Sequence, residues 1–134
     1  MKYFIFCLGI YGSIASTSNS VQNGELSKSI ERGKDVYTDF CITCHKVNGE
    51  GTPKVFPPVA KSDYLKKFQT ESIRGVKYGQ LGKIRVNDID YNAALPDPGL
   101  TNEEVADVMN YINNSWGNKI SGIVTAEMVK KIAK

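Results

Sequence analysis

Hydrophobic and polar positions along the chain fall mainly into helical spacing. Ile30, Gly33, Tyr37, Phe40, Cys41 and Cys44 recur at intervals of three and four. That spacing puts one apolar stripe and two thiols on the same side of a helix beginning near Ser27 or Ser29. Tyr37 and Phe40 read as core positions. A glycine inside such a helix costs roughly 1 kcal/mol against alanine, so Gly33 predicts the close passage of a second helix. That partner is "TNEEVADVMNYI". Thr101 with Glu104 three residues on forms a capping box. Val105, Val108, Met109 and Ile112 make its buried stripe. Asn113, Asn114 and Gly117 end it, and Tyr111 is placed to meet Gly33 or Tyr37 at the crossing.

Between these helices the periodicity breaks. "NGEGTPKVFPPV" is rich in Gly and Pro and predicts a loop. Ser62 is the expected cap of a short helix through Phe68, and Thr70 of another through Tyr78 with Gly79 as its stop. "KIRVNDIDY" alternates around Asn87-Asp88 and predicts a small hairpin. A last short helix spans residues 125–133. The fold class is all-α, and 134 residues suit one domain.

The first residues do not belong to that domain. "MKYFIFCLGIYGSIAS" carries one early Lys, then an uncharged apolar run ending in small residues. Ser13-Ile14-Ala15 fits a small-x-small cleavage site, so residues 1–15 read as a signal peptide and 16–134 as the mature domain. The apolar run is short for a membrane span; a retained N-terminal anchor is the alternative. Composition is ordinary for a soluble protein, at 41% hydrophobic and 23% charged. Losing Lys2 takes the net charge from +3 to +2. So small a charge argues against nucleic-acid binding, which calls for clustered Lys and Arg.

Export changes how the remaining cysteines are read, because thiols in exported proteins usually pair. The sequence "CITCH" holds Cys41, Cys44 and the chain's only histidine, His45. A thioredoxin-like pair wants a strand before the motif and a βαβ context, but these flanks are helical. A zinc site wants four ligands, and beyond His45 and the two thiols only carboxylates remain. A plain disulfide leaves His45 without a role. The fourth reading, covalent attachment of c-type haem, uses all three residues, since C-x-x-C-H is its signature. Two thiols one helical turn apart add across the two vinyl groups on one edge of the porphyrin. The imidazole at the next position then serves as the axial ligand. An axial histidine normally donates its second N–H to a carbonyl; Pro57 and Pro58 are the candidates.

The mature chain resembles the small soluble class I cytochromes c. The resemblance lies in Gly33 and Tyr37 leading into Cys41–His45, in the "GEGTP…FPPVAKSDYL" loop, and in "LTNEEVADVMNYINNSWGN". It is particularly similar to the single-haem domains associated with periplasmic dehydrogenases and nitrite reductases. The resemblance implies a few helices around one haem c, thioethers at Cys41 and Cys44, and His45 on the iron with its N–H on the Pro57 carbonyl. It implies one-electron transfer between exported redox proteins such as a dehydrogenase, a reductase or a terminal oxidase, by a monomeric periplasmic carrier rather than an enzyme. The chain departs from the family at one place. Where the pattern runs Y-N-G-x-M-P with Met as second axial ligand, this sequence reads "YNAALP", and Leu95 stands at the Met position. Of the remaining methionines, Met109 belongs to the core stripe and Met128 to the tail. The alternative function is therefore a haem protein with an open or weakly ligated sixth position, binding NO, CO or peroxide beside a polar residue such as Asn92.

Overall fold

The computed structural model describes residues 17–92 and 94–134. The leader expected over residues 1–15 lies outside the described residues. The chain forms helices Thr17–Phe40 (α1), Ile42–His45 (α2), Asp63–Lys67 (α3) and Gln69–Tyr78 (α4). A hairpin of Ile84–Val86 (β1) and Ile89–Tyr91 (β2) follows, then helices Asn102–Asn113 (α5) and Ala126–Lys131 (α6). No helix among the described residues is long and apolar enough to cross a membrane.

The long helix α1 packs most extensively on α5. Over residues 21–40 of α1 the buried positions are Ser29, Gly33 and Tyr37, strictly four apart. Gly33 marks the point of closest approach: a Cβ there would overlap the Asp107 carbonyl and come 2.9 Å from Tyr111 Cβ. Around this point Tyr37, Tyr111 and Trp116 form a three-ring cluster with centroids 4.9–5.5 Å apart. These separations suit tilted and edge-on aromatic pairs. On α5 the buried face is Val105, Val108, Met109 and Ile112, and the Thr101–Glu104 capping box closes its N-terminus.

Polar groups fix the crossing. Asp107 is buried on α5 and takes a two-pronged contact from Arg32, with Nε to Oδ2 at 2.6 Å and an outer nitrogen to Oδ1 at 2.8 Å. Ser29 donates to the same carboxylate at 2.6 Å and accepts from the fully buried Asn110 at 2.8 Å. Asn110 in turn donates to the Val124 carbonyl and accepts from its N–H, both at 2.8 Å. A buried charge is tolerated when its acceptor sites are filled in this way. The same residues tie the C-terminal segment to the α1–α5 pair.

Two expectations about α1 need correction. The helix does not begin at Ser27 or Ser29 but already spans Thr17 onward. Ser27 bonds back to the Asn23 carbonyl at 3.0 Å and Ser29 is spent on Asp107, so neither offers its oxygen to a helix N-terminus. Phe40 is not a core residue; it is 54% exposed. The buried stripe advances by four residues at each step, from Tyr37 to Cys41, and leaves Phe40 on the flank.

The middle of the chain follows the sequence more closely. Ser62 caps α3, accepting from Leu65 N at 3.2 Å. Gly79 ends α4 with φ 79°. Asn87 and Asp88 form the hairpin turn with φ 48° and 64°, the doubly positive pair that suits a two-residue hairpin. Asp63 and Asn87 exchange two backbone–side-chain hydrogen bonds and pin the hairpin to the start of α3. Thr70 does not cap α4. Phe68 closes α3 and opens α4 at once, its carbonyl accepting from both Ser72 N and Ser72 Oγ. Thr125 caps α6, and Lys77 donates to the carbonyls of Val129 and Ile132 at the other end of that helix.

Candidate haem site

The short helix α2 continues from the end of α1 after a turn at Cys41, so the crossing of α1 on α5 also sets the position of the C-x-x-C-H residues. Cys41 and Cys44 are free thiols, both partly buried. Cys41 packs against the core, where burial and the neighbouring Cys44 push its thiol up to about 11. Cys44 and His45 line a cleft with about 940 Å³ of unfilled space, open to solvent.

That cleft is largely apolar. Phe56, Pro57, Pro58 and Val59 border it from the loop, and Leu65 and Val76 from α3 and α4. Ile84, Val86 and Tyr91 come from the hairpin, Met109 and Ile112 from α5, and Ala94, Leu95 and Pro96 from the strap before α5. Its mostly apolar lining with a few polar groups is the character of sites for organic cofactors. Haem fits this donor set. The cleft is walled by aliphatic and aromatic groups, and a thiol and an imidazole are among its lining.

His45 is oriented by the loop. Its Nδ1 lies 2.9 Å from the Pro57 carbonyl oxygen. A carbonyl can only accept, so Nδ1 carries the proton and donates it to Pro57. Nε2 is then the nitrogen left with a lone pair. Burial lowers the pKa of His45 and the Pro57 bond partly opposes this; the ring is thus kept neutral, the form that ligates iron. Pro58 borders the cleft without making this bond.

The loop from Lys46 to Ala60 is itself tightly held. Tyr37 donates to the Lys46 carbonyl at 2.7 Å, and burial raises the pKa of Tyr37 so that it stays a neutral donor. Gly51 N donates to the His45 carbonyl at 3.0 Å. Gly51 has φ 64°, and a Cβ there would come 2.7 Å from the Pro57 carbonyl oxygen, so only glycine lets the loop fold back beneath His45. Trp116 lies over Gly49, where an added Cβ would meet the indole at 2.7 Å. Asn118 donates to the carbonyls of Val59 and Ile112, both at 2.8 Å. Trp116 and Asn118 thus clamp the loop that holds Pro57. The sequence reading gave them no role, because nothing local in "NNSWGN" reveals a partner some sixty positions away.

Leu95 lines the cleft and is 38% exposed. Met109 also lines it, but from within the core, at 0% exposure. Met128 is half exposed on α6. Asn92 is exposed and does not line the cleft, so the polar residue suggested for a ligand site is not this one. Gln80, which the sequence reading passed over, does line it. Among the described residues no cluster of three or more His, Cys, Asp or Glu side chains has the geometry to hold a metal ion by itself.

Comparison with known proteins accords with this site. The cytochrome c family profile matches residues 30–116. The chain is 36% identical over 118 residues to cytochrome c-552 of Thermus thermophilus, covering 81% of this chain and 79% of that protein. It is 31% identical over 138 residues to the cytochrome c subunit of the quinone alcohol dehydrogenase of Gluconacetobacter polyoxogenes. The gluconate 2-dehydrogenase cytochrome c subunit of Pantoea cypripedii is 28% identical over 135 residues. These matches take in 92% and 90% of this chain but only 26% and 29% of the two dehydrogenase subunits, so the chain spans about a quarter of their length.

Proposed function

The chain belongs to the cytochrome c family, with haem c covalently bound through Cys41 and Cys44 as its cofactor, and on that premise we propose that it is a monohaem electron carrier with His45 as axial ligand. The observation that carries the reading is the His45–Pro57 hydrogen bond at the edge of an apolar cleft, directly after the two free thiols. The mostly helical fold seen here is consistent with the family's fold. When bound, haem c supplies a one-electron iron couple.

The protein's own part is positioning and electrostatics. The Pro57 carbonyl holds the imidazole in one tautomer and one orientation, which makes Nε2 a better donor. The crossing at Gly33 and the Tyr37–Lys46 bond hold α2, and with it Cys41, Cys44 and His45, against the core. The aliphatic walls disfavour the more highly charged ferric state, which raises the potential. Leu95 brings no sulfur to the cleft, which lowers it, since Met ligation raises the potential. Partners are redox proteins of an exported compartment. The family resemblance and the dehydrogenase subunits among the relatives point to a dehydrogenase on one side and a reductase or terminal oxidase on the other. Residues 1–15 act as the export signal, and the carrier is a soluble monomer unless that segment is retained.

Leu95 favours a second reading beside the first, in which the sixth iron position is open or weakly ligated and takes small ligands. Optical spectra of the oxidised and reduced protein test both. A c-type reduced spectrum, with haem that survives acid–acetone extraction and rapid oxidation by a redox partner, is expected. Haem released by extraction overturns the assignment. A methionine–iron absorption band in the oxidised protein removes the second reading and leaves the first.

A further inference from the structure

We propose that Gln80 and Leu95 form the distal wall of a small-ligand site, in which the Gln80 carboxamide donates a hydrogen bond to an anionic or diatomic ligand on the haem iron. The proposal rests on the haem-binding reading and on an open sixth position.

Four observations place Gln80. First, Gln80 and Leu95 exchange two backbone hydrogen bonds, Gln80 N to Leu95 O at 2.8 Å and Leu95 N to Gln80 O at 2.9 Å. Residues paired this way in an antiparallel bridge present their side chains on the same face. Second, both line the cleft that His45 lines. Third, the Gln80 side chain lies across Gly75 of α4. A Cβ on Gly75 would come 2.8 Å from Gln80 Oε1 and 3.6 Å from Gln80 Cβ. The bare backbone of α4 is thus a cradle that fixes the amide. Fourth, the carboxamide has no hydrogen-bond partner among the described residues, whereas the hydroxyls of Ser62 and Ser72 are engaged with Leu65 N and the Phe68 carbonyl.

The chemistry follows from the pair. Leu95 supplies bulk and no lone pair, so the strap shields the iron without ligating it. Gln80 supplies two N–H donors that do not titrate. An anion gains most from such a donor, since hydrogen bonds to charged groups are about twice as strong as neutral ones. Carbon monoxide is a poor acceptor and gains little. Tyr91 also borders the cleft, from the hairpin, and is the competing donor.

Holoprotein made with a haem-ligation system is titrated with fluoride in the ferric state and with CO in the ferrous state, followed by absorbance. Wild type should bind both. Gln80→Leu should weaken fluoride about tenfold or more, the loss of one charge-assisted hydrogen bond, and change CO affinity far less. Gly75→Ala, which displaces the amide without removing it, should also weaken fluoride selectively. Tyr91→Phe should leave the fluoride-to-CO ratio unchanged. A parallel loss of both ligands in Gln80→Leu overturns the hydrogen-bond role, because it marks a packing effect. So does an unchanged fluoride affinity, or a selective loss in Tyr91→Phe alone. A wild type that binds neither ligand has its sixth position filled; the ligand site then falls while the electron-carrier reading stands.

Discussion

Gly33→Ala offers the sharpest test of the packing that positions the haem motif. A methyl group there overlaps the Asp107 carbonyl and sits 2.9 Å from Tyr111 Cβ. Carbon–carbon contacts are comfortable at about 3.5–4.0 Å, so α1 and α5 must part by roughly 1 Å. Overpacking of this kind costs about 1–3 kcal/mol. The separation also stretches the bonds from Ser29 and Arg32 to Asp107. Arg32 is more than half exposed, so its share is discounted for solvent screening, and the buried Asp107–Ser29–Asn110 chain contributes about 1–2 kcal/mol. Alanine's better helix propensity returns about 1 kcal/mol. The net expectation is a loss of about 1–4 kcal/mol, a large share of the roughly 5–15 kcal/mol of a typical domain. Gly24 on the same helix is the control: nothing lies within 4 Å of a Cβ there, so Gly24→Ala should be neutral or stabilising by up to about 1 kcal/mol. Urea denaturation of the holoproteins, followed by far-UV circular dichroism, reads both. A Gly33→Ala midpoint equal to that of wild type would refute the crossing.

His45→Ala should abolish a stable native haem spectrum, because the chain holds no second histidine; an unchanged visible spectrum rules out His45 as the iron ligand. Cys41→Ser and Cys44→Ser should each leave a single thioether, read as a shifted alkaline pyridine spectrum, and a normal two-thioether spectrum in either counts against that attachment. Leu95→Met should give a low-spin haem, a higher potential and slower CO uptake; no change in any of the three means that Leu95 does not face the iron. Asp63 is held below the usual carboxylate range, first by the Asn87 N–H and then by the Lys67 ammonium. Its stabilisation should therefore be fully present above the unfolded pKa of about 3.9 and be lost as pH falls through the lower folded value. The stability gap between wild type and Asp63→Asn should stay level above about pH 5 and shrink in acid; a gap that widens in acid contradicts this.

What could be read from the sequence depended on how local its cause was. The Thr101–Glu104 box, the Ser62 cap, the Gly79 stop and the Asn87-Asp88 turn are each set by residues within four positions of one another, and each is present. Gly33 was legible because glycine in a helix interior has few uses besides a close approach. The start of α1 was not, because Ser29 looks like a cap until Asp107 and Asn110 arrive from across the fold. Thr70 misled for a more local reason, since Phe68 joins α3 to α4 without an intervening loop. The C-x-x-C-H run announced haem chemistry outright, and the family match over residues 30–116 agrees with it. The loop clamp by Trp116 and Asn118 left no trace in the local pattern.

The strap from Gln80 to Leu95 concentrates the remaining question of function in one place. A carrier needs only an iron whose surroundings change little between two charge states, and the apolar walls, the fixed His45 tautomer and the clamped loop all serve that. A ligand site needs in addition a position that side chains leave free and a donor placed beside it. Leu95 meets the first need by occupying the methionine position without a lone pair, and Gln80 meets the second by lying in the Gly75 cradle with its amide unspent. Among the described residues Met109 is the one methionine at the cleft, and it is buried with Val105, Val108 and Ile112 on α5. Drawing it out of that core would cost about 2–5 kcal/mol for an emptied methionine position. The packing of α5 thus keeps the sixth position free of sulfur, and the strap decides what takes its place.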